Sequence, residues 1–500
     1  MNSLLVLPVI IPLGGALFLC MLRKRTTAVT AVSSLTAGFG LTVGVMLISL
    51  VVKQGPQAVS LGSWPAPYGI VFAADLFSAA MVLITWVIGL GIVIYSAADL
   101  KHKPSFAHYQ VLIQFLLAGV NGAFLTADLF NLYVWFEVML IASFGLMLLD
   151  AGSIQIQGGV KYVFLNLIST LTMLLAIGLL YGATGMLNFA ELHHKTPVLS
   201  PGLINILAGL FLFSFSVKSA LFPLYAWLPA SYHTLPSSVA ALFAALLTKV
   251  GIYAVIRTFT LVFPFEGTGW QTILIAVSGL TMLTGVLGAA SQFTIKKILS
   301  FHIISQVGYI IIGIALYTRL AIAGSILYLI HHIIVKANLF LIGGFLNRKF
   351  GSDHLSKMGG VYKSFPVLAV LFMIPAFSLA GFPPLSGFWS KFAVIRASIE
   401  TDHYWLAATA LIVSVLTIYS MLKIWNEAFW KPAPTDPVSK PVRSLSSREA
   451  CLYLVPIATF ALLTLIIGLA AEPFFRFADQ AALQLLEPAD YIQAVLGVKG

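Results

Sequence analysis

Charge is scarce in this chain. Of 500 residues only 17 are acidic and 28 basic, together 9%, where a soluble protein of this length carries roughly a quarter. Hydrophobic residues make up 59% and the mean hydropathy is +0.98, which excludes a water-soluble globular domain. The apolar runs are long and unbroken rather than alternating, which excludes a membrane β-barrel and leaves helical spans. Cysteine is nearly absent. Cys20 and Cys451 lie at opposite ends of the chain, too few and too far apart for a disulfide framework or an iron–sulfur ligand set. Also missing are a Gly-rich phosphate loop, a metal-spaced Cys/His cluster and a nucleophile elbow. No cofactor or metal is therefore expected, and the acting residues must be sought inside the bilayer.

The spans expected from hydropathy number about fourteen, each near the ~20 residues needed to cross. They fall at 2–22, 28–52, 71–97, 107–126, 128–149, 159–183, 202–229, 237–263, 271–291, 297–317, 320–347, 364–398, 404–429 and 450–472. The formal charge of +11 resembles a nucleic-acid signal, but most basic residues sit in short loops between spans, so no nucleic-acid partner is expected. "MNSLLVLPVIIPLGGALFLCML" has no basic leader. Its cluster Arg23, Lys24, Arg25 follows the apolar run, which argues for a retained first span with its N-terminus outside. "KHK", "IKK", "NRKFGSDHLSKMGGVYK" and "WKPAPTDPVSKPVRSLSSRE" then fall on the cytoplasmic side, with both termini outside. The polar stretch 431–449 is expected to be a loosely packed connector.

The seventh span, at about 28 residues or ~42 Å, exceeds a ~30 Å hydrocarbon core. Within it, "FSFSVKSALFPLYAWLP" pairs Lys218 with Pro223. Proline removes a backbone hydrogen bond, so the helix is expected to open around residues 219–223. The twelfth span holds a second such place, "FSLAGFPPLSGFWSKFAVI". Pro223-Leu224-Tyr225-Ala226-Trp227 matches Pro384-Leu385-Ser386-Gly387-Phe388 in pattern: proline, leucine, a polar residue, a small one, an aromatic. The two lie five spans apart. An odd period turns one half upside down relative to the other, a plan that places transport sites at helix breaks.

Ionisable side chains near the bilayer centre are costly, about 2.5–3.5 kcal/mol each on insertion scales. This chain has several: Glu137, Lys218, Lys249, His331, His332, Lys336 and Lys391. His332 and Lys336 share one helix face, while His331 points about a hundred degrees away. A single buried lysine can snorkel or pair structurally, and a lone histidine is commonly a satisfied core residue. Asp75 and Asp128, near span ends, read as structural. The set as a whole, one acid and four lysines with imidazoles between them, points to proton transfer. Burial penalises an ammonium and a nearby carboxylate restores it, by about 4 kcal/mol at ~4 Å in an effective dielectric near 20. Motion of Glu137 relative to Lys218 would then switch that lysine between holding and releasing a proton.

Taken with "VKYVFLNLISTLTMLLAIGLLYGATGMLNF", "SFHIISQVGYIIIGIAL" and "SLAGFPPLSGFWSKF", these residues resemble the antiporter-like subunits shared by Mrp-type multisubunit cation/proton antiporters and respiratory complex I. The similarity covers nearly the whole chain. It implies an all-α polytopic fold of about 14 transmembrane helices with two inverted five-helix repeats, each containing a broken helix. The expected organisation is an N-terminal three-helix unit at 1–106, half-channel repeats at 107–264 and 265–430, and a loop, final span and tail at 431–500. The resemblance makes Glu137 the fifth-span acid, Lys218 its seventh-span partner and Lys249 the eighth-span connector. His332 and Lys336 become the eleventh-span relay, with His331 beside them, and Lys391 the terminal lysine. Within the family the chain is most similar to the D-type subunits of the Mrp branch, since it ends after one final span and carries lysine at 391 where some complex I relatives have glutamate. Implied partners are the other subunits of a hetero-oligomeric Mrp complex, membrane lipid, protons and Na⁺. The alternatives are a proton-pumping subunit of complex I or a membrane hydrogenase, and a scaffold whose charges only lock helices together. No carboxylate-rich oxygen cage for sodium is evident.

Overall fold

The computed structural model describes residues 2–22, 25–432 and 446–497. The chain starts with α1 (Leu7–Met21) and α2 (Thr26–Gln54), an antiparallel hairpin of β1 (Gln57–Ser60) and β2 (Val71–Ala74) with Gln57 opposite Ala74, and α3 (Leu76–Asp99). It continues with α4 (Phe106–Leu125), α5 (Leu129–Leu148), α6 (Ser153–Thr184), the short α7 (Phe189–Lys195), α8 (Pro201–Ser219), α9 (Trp227–Tyr232) and α10 (Ser237–Leu261). Next come α11 (Gly269–Ser291), α12 (Ile295–Leu316), α13 (Arg319–Phe350), α14 (Val361–Ser364), α15 (Pro366–Ala380), α16 (Ser386–Glu400) and α17 (Tyr404–Ile424). The last helices are α18 (Ser447–Leu469), α19 (Ala471–Leu486) and α20 (Ala489–Leu496).

This is a polytopic helical membrane protein. Among the described residues, 11 helices are long and apolar enough to cross a membrane. The other expected spans fall on α1, only 15 residues long, on α4, and on the pair α15 and α16. Of the connector expected at 431–449, residues 433–445 lie outside the described residues. Beyond the final span the sequence suggested only a tail, yet it folds into α19 and α20. The Ala478, Ala481, Ala482 and Leu485 side of α19 is buried, and the helix packs on α13 and α3. Its polar side is tied down by Arg319 and Asp479 at 2.5 Å.

Burial sorts the helices into two shells. The most apolar stretches of α10, α12 and α13 are each 94% buried, against 33% for α2 and 39% for α6 and α18. The outer helices leave much of their apolar surface uncovered and α10, α12 and α13 are enclosed by protein, so polar groups on these three are shielded from a surrounding hydrocarbon.

Both proline sites open the helix. α8 stops at Ser219, as expected, and helix resumes only at Trp227. Ala220 is left-handed (φ 59), its N–H donating to the Ser216 and Val217 carbonyls, and Leu221 N–H donates to Ser216 at 3.0 Å. At the second site α15 stops at Ala380 and α16 starts at Ser386. Gly381 is left-handed (φ 91) and donates to Phe377 and Ser378, and Phe382 N–H donates to Phe377 at 3.0 Å. The bonding pattern is the same at both. A second correspondence lies at the heads of α5 and α12. Asp128 bridges Asn188, and Thr294 bridges His354, both antiparallel. Leu129 N–H donates to Leu187 O and Phe189 N–H to Ala127 O; Ile295 N–H donates to Asp353 O and Leu355 N–H to Phe293 O.

Candidate functional site, a buried row of lysines and histidines

Glu137 lies mid-way along α5 and is half-buried, with Oε1 enclosed and without a hydrogen-bond partner. Lys218 sits in the last turn of α8, directly before the first break, 8% exposed. The two do not form an ion pair within 4 Å: the Lys218 ammonium rests instead over the Phe136 ring, 5.3 Å from its centroid. Phe136 precedes Glu137 on α5, so a modest turn of either side chain changes the separation of the charges. A cleft between Phe136, Tyr162, Asn166, Lys218 and Trp227 has about 20 Å³ of water-sized space, enough to admit a water.

Lys249 is fully buried on α10 and donates to the carbonyl of Ala244 on its own helix. Across from α10, α13 carries Tyr328, His332 and Lys336 at successive four-residue steps, which stacks them along one face. The rings of Tyr328 and His332 are parallel, 3° apart in plane and 6.1 Å between centroids. Neither nitrogen of His332 has a hydrogen-bond partner. Lys336 Nζ donates to Leu299 O on α12 at 3.2 Å.

His331 faces elsewhere, as its helical position dictates, and reaches the second break. Its Nδ1 lies 2.8 Å from Ser386 Oγ, which in turn lies 3.0 Å from Ser378 Oγ. Lys391, one turn further into α16 and 3% exposed, donates to Ala380 O at 3.2 Å and to Ser414 Oγ at 3.1 Å. Among the described residues no carboxylate pairs with Lys218, Lys249, Lys336 or Lys391 within 4 Å, and no three His, Cys, Asp or Glu side chains gather as a metal ion would require.

This arrangement places Lys218 and Lys391 at the two breaks, and Lys249, Lys336, the unpartnered His332 and the Ser386-bound His331 on the enclosed helices α10 and α13. A model of the transmembrane region of NADH:quinone oxidoreductase and Mrp antiporter subunits matches residues 126–417, more than half of the chain. The chain belongs to this NADH:quinone oxidoreductase/Mrp antiporter family. All seven candidate residues, from Glu137 to Lys391, fall inside the matched region. It is 45% identical to the D subunit of the Na⁺/H⁺ antiporter of Alkalihalophilus pseudofirmus, covering 99% of this chain and 100% of the relative. It is 41% identical to the D subunit of the Na⁺/H⁺ antiporter of Bacillus subtilis, again covering 99% and 100%. A chain in the solved Mrp complex from Dietzia sp. DQ12-45-1b superposes with a TM-score of 0.92 at 32% identity, covering 99% of both chains. The two named relatives are antiporter subunits, transporters rather than enzymes.

Sequence reasoning missed His302 and Arg257 in this antiporter-family interior. His302 on α12 is fully buried with neither ring nitrogen partnered. The signal was present: His302 and Gln306 stand four apart in an apolar helix, and Gln306 accepts the hydroxyl of Tyr328 from the His332 face. Arg257, two turns beyond Lys249 on α10, is 3% exposed and bound to Asp75. Asp75 is structural, as expected, and also caps α3 through a capping box with Ser78.

Proposed function

We propose that this chain is the proton-translocating D-type subunit of a multisubunit Na⁺(cation)/H⁺ antiporter in the cytoplasmic membrane of a bacterium, driven by the proton motive force. Glu137 and Lys218 set the timing at the first break. Lys249, His332 and Lys336 pass protons laterally, and Lys391 with His331 serves the second break. The observation that carries this reading is the unpaired state of the row. A scaffold would neutralise its buried charges in pairs, as Asp75 and Arg257 are neutralised, because an unpaired charge at this depth is expensive. Here the amines rest on carbonyls, hydroxyls and aromatic faces, which leaves their protons free to be exchanged.

The domain plan follows from the same reading: a three-helix N-terminal unit at 1–106, two inverted five-helix half-channels at 107–264 and 265–430, and a closing span with its tail at 431–500, about 14 spans in all. The matched bonding at the two breaks and at the heads of α5 and α12 supports this repeat. The basic loops support an orientation with both termini outside. Other subunits of the complex are the partners, and lipid surrounds the outer shell. The near-full-length similarity to D subunits favours an antiporter over a redox-driven complex.

The test is sodium-dependent proton exchange in vesicles carrying the assembled complex, with its abundance measured in parallel. Glu137→Ala is expected to abolish exchange at normal abundance. Intact exchange would remove the pair from the mechanism. Flavin and iron–sulfur protein co-purifying with the tagged chain would assign the same lysines to an electron-driven pump.

A further inference from the structure

Lys391 does not simply point into a cavity; three electron-rich groups from three different helices surround its ammonium. The first is the carbonyl of Ala380, at 3.2 Å. In an unbroken helix that carbonyl would accept from the residue four further on, which is Pro384 and has no N–H. The break therefore leaves Ala380 O without a helical donor, and Lys391 takes it. The second is Ser414 Oγ of α17, at 3.1 Å. The third is the face of Tyr309 on α12, its centroid 4.4 Å from Nζ. Tyr309 and Ser414 are themselves joined, oxygen to oxygen at 2.9 Å, and Tyr309 also bonds the carbonyl of Ala410.

The direction of this chain follows from donor counting. Ala410 O can only accept, so the Tyr309 hydroxyl gives it its single proton. Ser414 must then donate to Tyr309 Oη, which leaves a Ser414 lone pair facing Lys391. Every group turned toward Nζ is an acceptor or a π face. An ammonium, which has donors only, satisfies all three, whereas a neutral amine leaves its lone pair without a donor.

We propose that Tyr309 and Ser414 are positioning residues that hold the charged form of Lys391 against the opened end of α15, and so set the pH above which the second half-channel fails. This rests on the proton-transport function proposed above. The titratable groups that bear on Lys391 are His302 and Tyr309 from α12 and His331 and Lys336 from α13. α15 and α17 contribute the Ala380 carbonyl and Ser414. On α18 the backbone at Gly468 is what approaches the start of α16. None of these is a carboxylate, so the neutral acceptors carry the preference for the ammonium.

The experiment is the pH profile of sodium-dependent proton exchange by the assembled complex in vesicles, at matched abundance. Ser414→Ala and Tyr309→Leu each remove one group that favours the ammonium, and each is expected to move the alkaline limb to lower pH by about one unit. Ser414→Thr keeps the hydroxyl and restores the profile. Tyr309→Phe keeps the ring and shifts it less than Tyr309→Leu. Profiles that stay in place, with rates falling only in step with abundance, would overturn the proposal by reducing both residues to packing. Lys391→Ala separates the two levels of argument: intact exchange in that variant defeats the transport reading itself. Lost exchange in Lys391→Ala with unshifted Ser414→Ala and Tyr309→Leu profiles defeats only the cradle.

Discussion

Arg257 and Asp75 meet as a buried two-bond pair, 2.6 and 2.8 Å between their nitrogens and oxygens, that joins α10 to the head of α3. The guanidinium also lies over the rings of Tyr253, at 5.4 Å, and Tyr491, at 4.9 Å, so the C-terminal α20 closes over the same pair. Asp75→Asn keeps an acceptor for the α3 cap and removes the counter-charge. Breaking a buried pair from one side costs about 3–5 kcal/mol. The expected outcome is a marked drop in complex abundance and in its thermal midpoint, partly recovered by replacing Arg257 with methionine in the same chain. An unchanged midpoint in Asp75→Asn would show that the pair is dispensable.

Lys249 is held by one carbonyl of its own helix. Removing it leaves no counter-charge exposed, so Lys249→Ala is expected to assemble normally and to lose at least about tenfold in exchange rate, equivalent to ~1.4 kcal/mol on the barrier. A scaffold role predicts the opposite pattern, abundance and activity falling together. Quantitative immunoblotting beside vesicle transport distinguishes the two.

His331 and His332 are sequence neighbours with different surroundings. His332 makes no hydrogen bond, whereas His331 holds Ser386 at the second break. His332→Ala should therefore spare assembly and stop transport. His331→Ala should loosen the break and lower abundance, and Ser386→Ala should reproduce part of that loss. Equal effects of the two histidine variants on abundance would contradict this division.

Gly387 sits where the start of α16 presses on the end of α15. A Cβ there would lie 1.9 Å from the Ser378 carbonyl and 2.9 Å from the His331 ring. Backbone cannot give way that far, so Gly387→Ala is expected to abolish assembly of the second break, seen as loss of the complex from the membrane. Gly178→Ala, on the outer face of α6 with open space around the added methyl, is the control. It should be neutral or stabilising by up to about 1 kcal/mol.

Much of this was legible in the sequence because the bilayer imposes simple rules. A long run of apolar residues must be a helix, so the 11 long apolar helices could be located from length and hydropathy. Pro223 and Pro384 have no N–H, so the openings after Ser219 and Ala380 were written into the chain. Lys218, Lys249, Lys336 and Lys391 announced themselves by the cost of burying them, whereas Lys296, read with the loop "IKK", is buried at the start of α12 and donates to Leu235 O. The four-residue step from His332 to Lys336 was enough to put them on one face and His331 on another.

Partners across helices were not legible. That Asp75 finds Arg257, that Lys218 lies over Phe136 rather than against Glu137, and that Lys391 rests on Tyr309 and Ser414 all depend on how helices distant in sequence are rotated against each other. In lipid that rotation is set by packing and by polar contacts, with no solvent-facing side to reveal it. The amphipathic α19 escaped for a related reason: its apolar side finds its use only against α13 and α3. The sequence alone determined the lysines and histidines of the candidate site and where the backbone must open. Only the tertiary structure decided which buried charges meet a counter-charge and which rest on neutral acceptors, because that depends on the few ångströms between side chains of different helices.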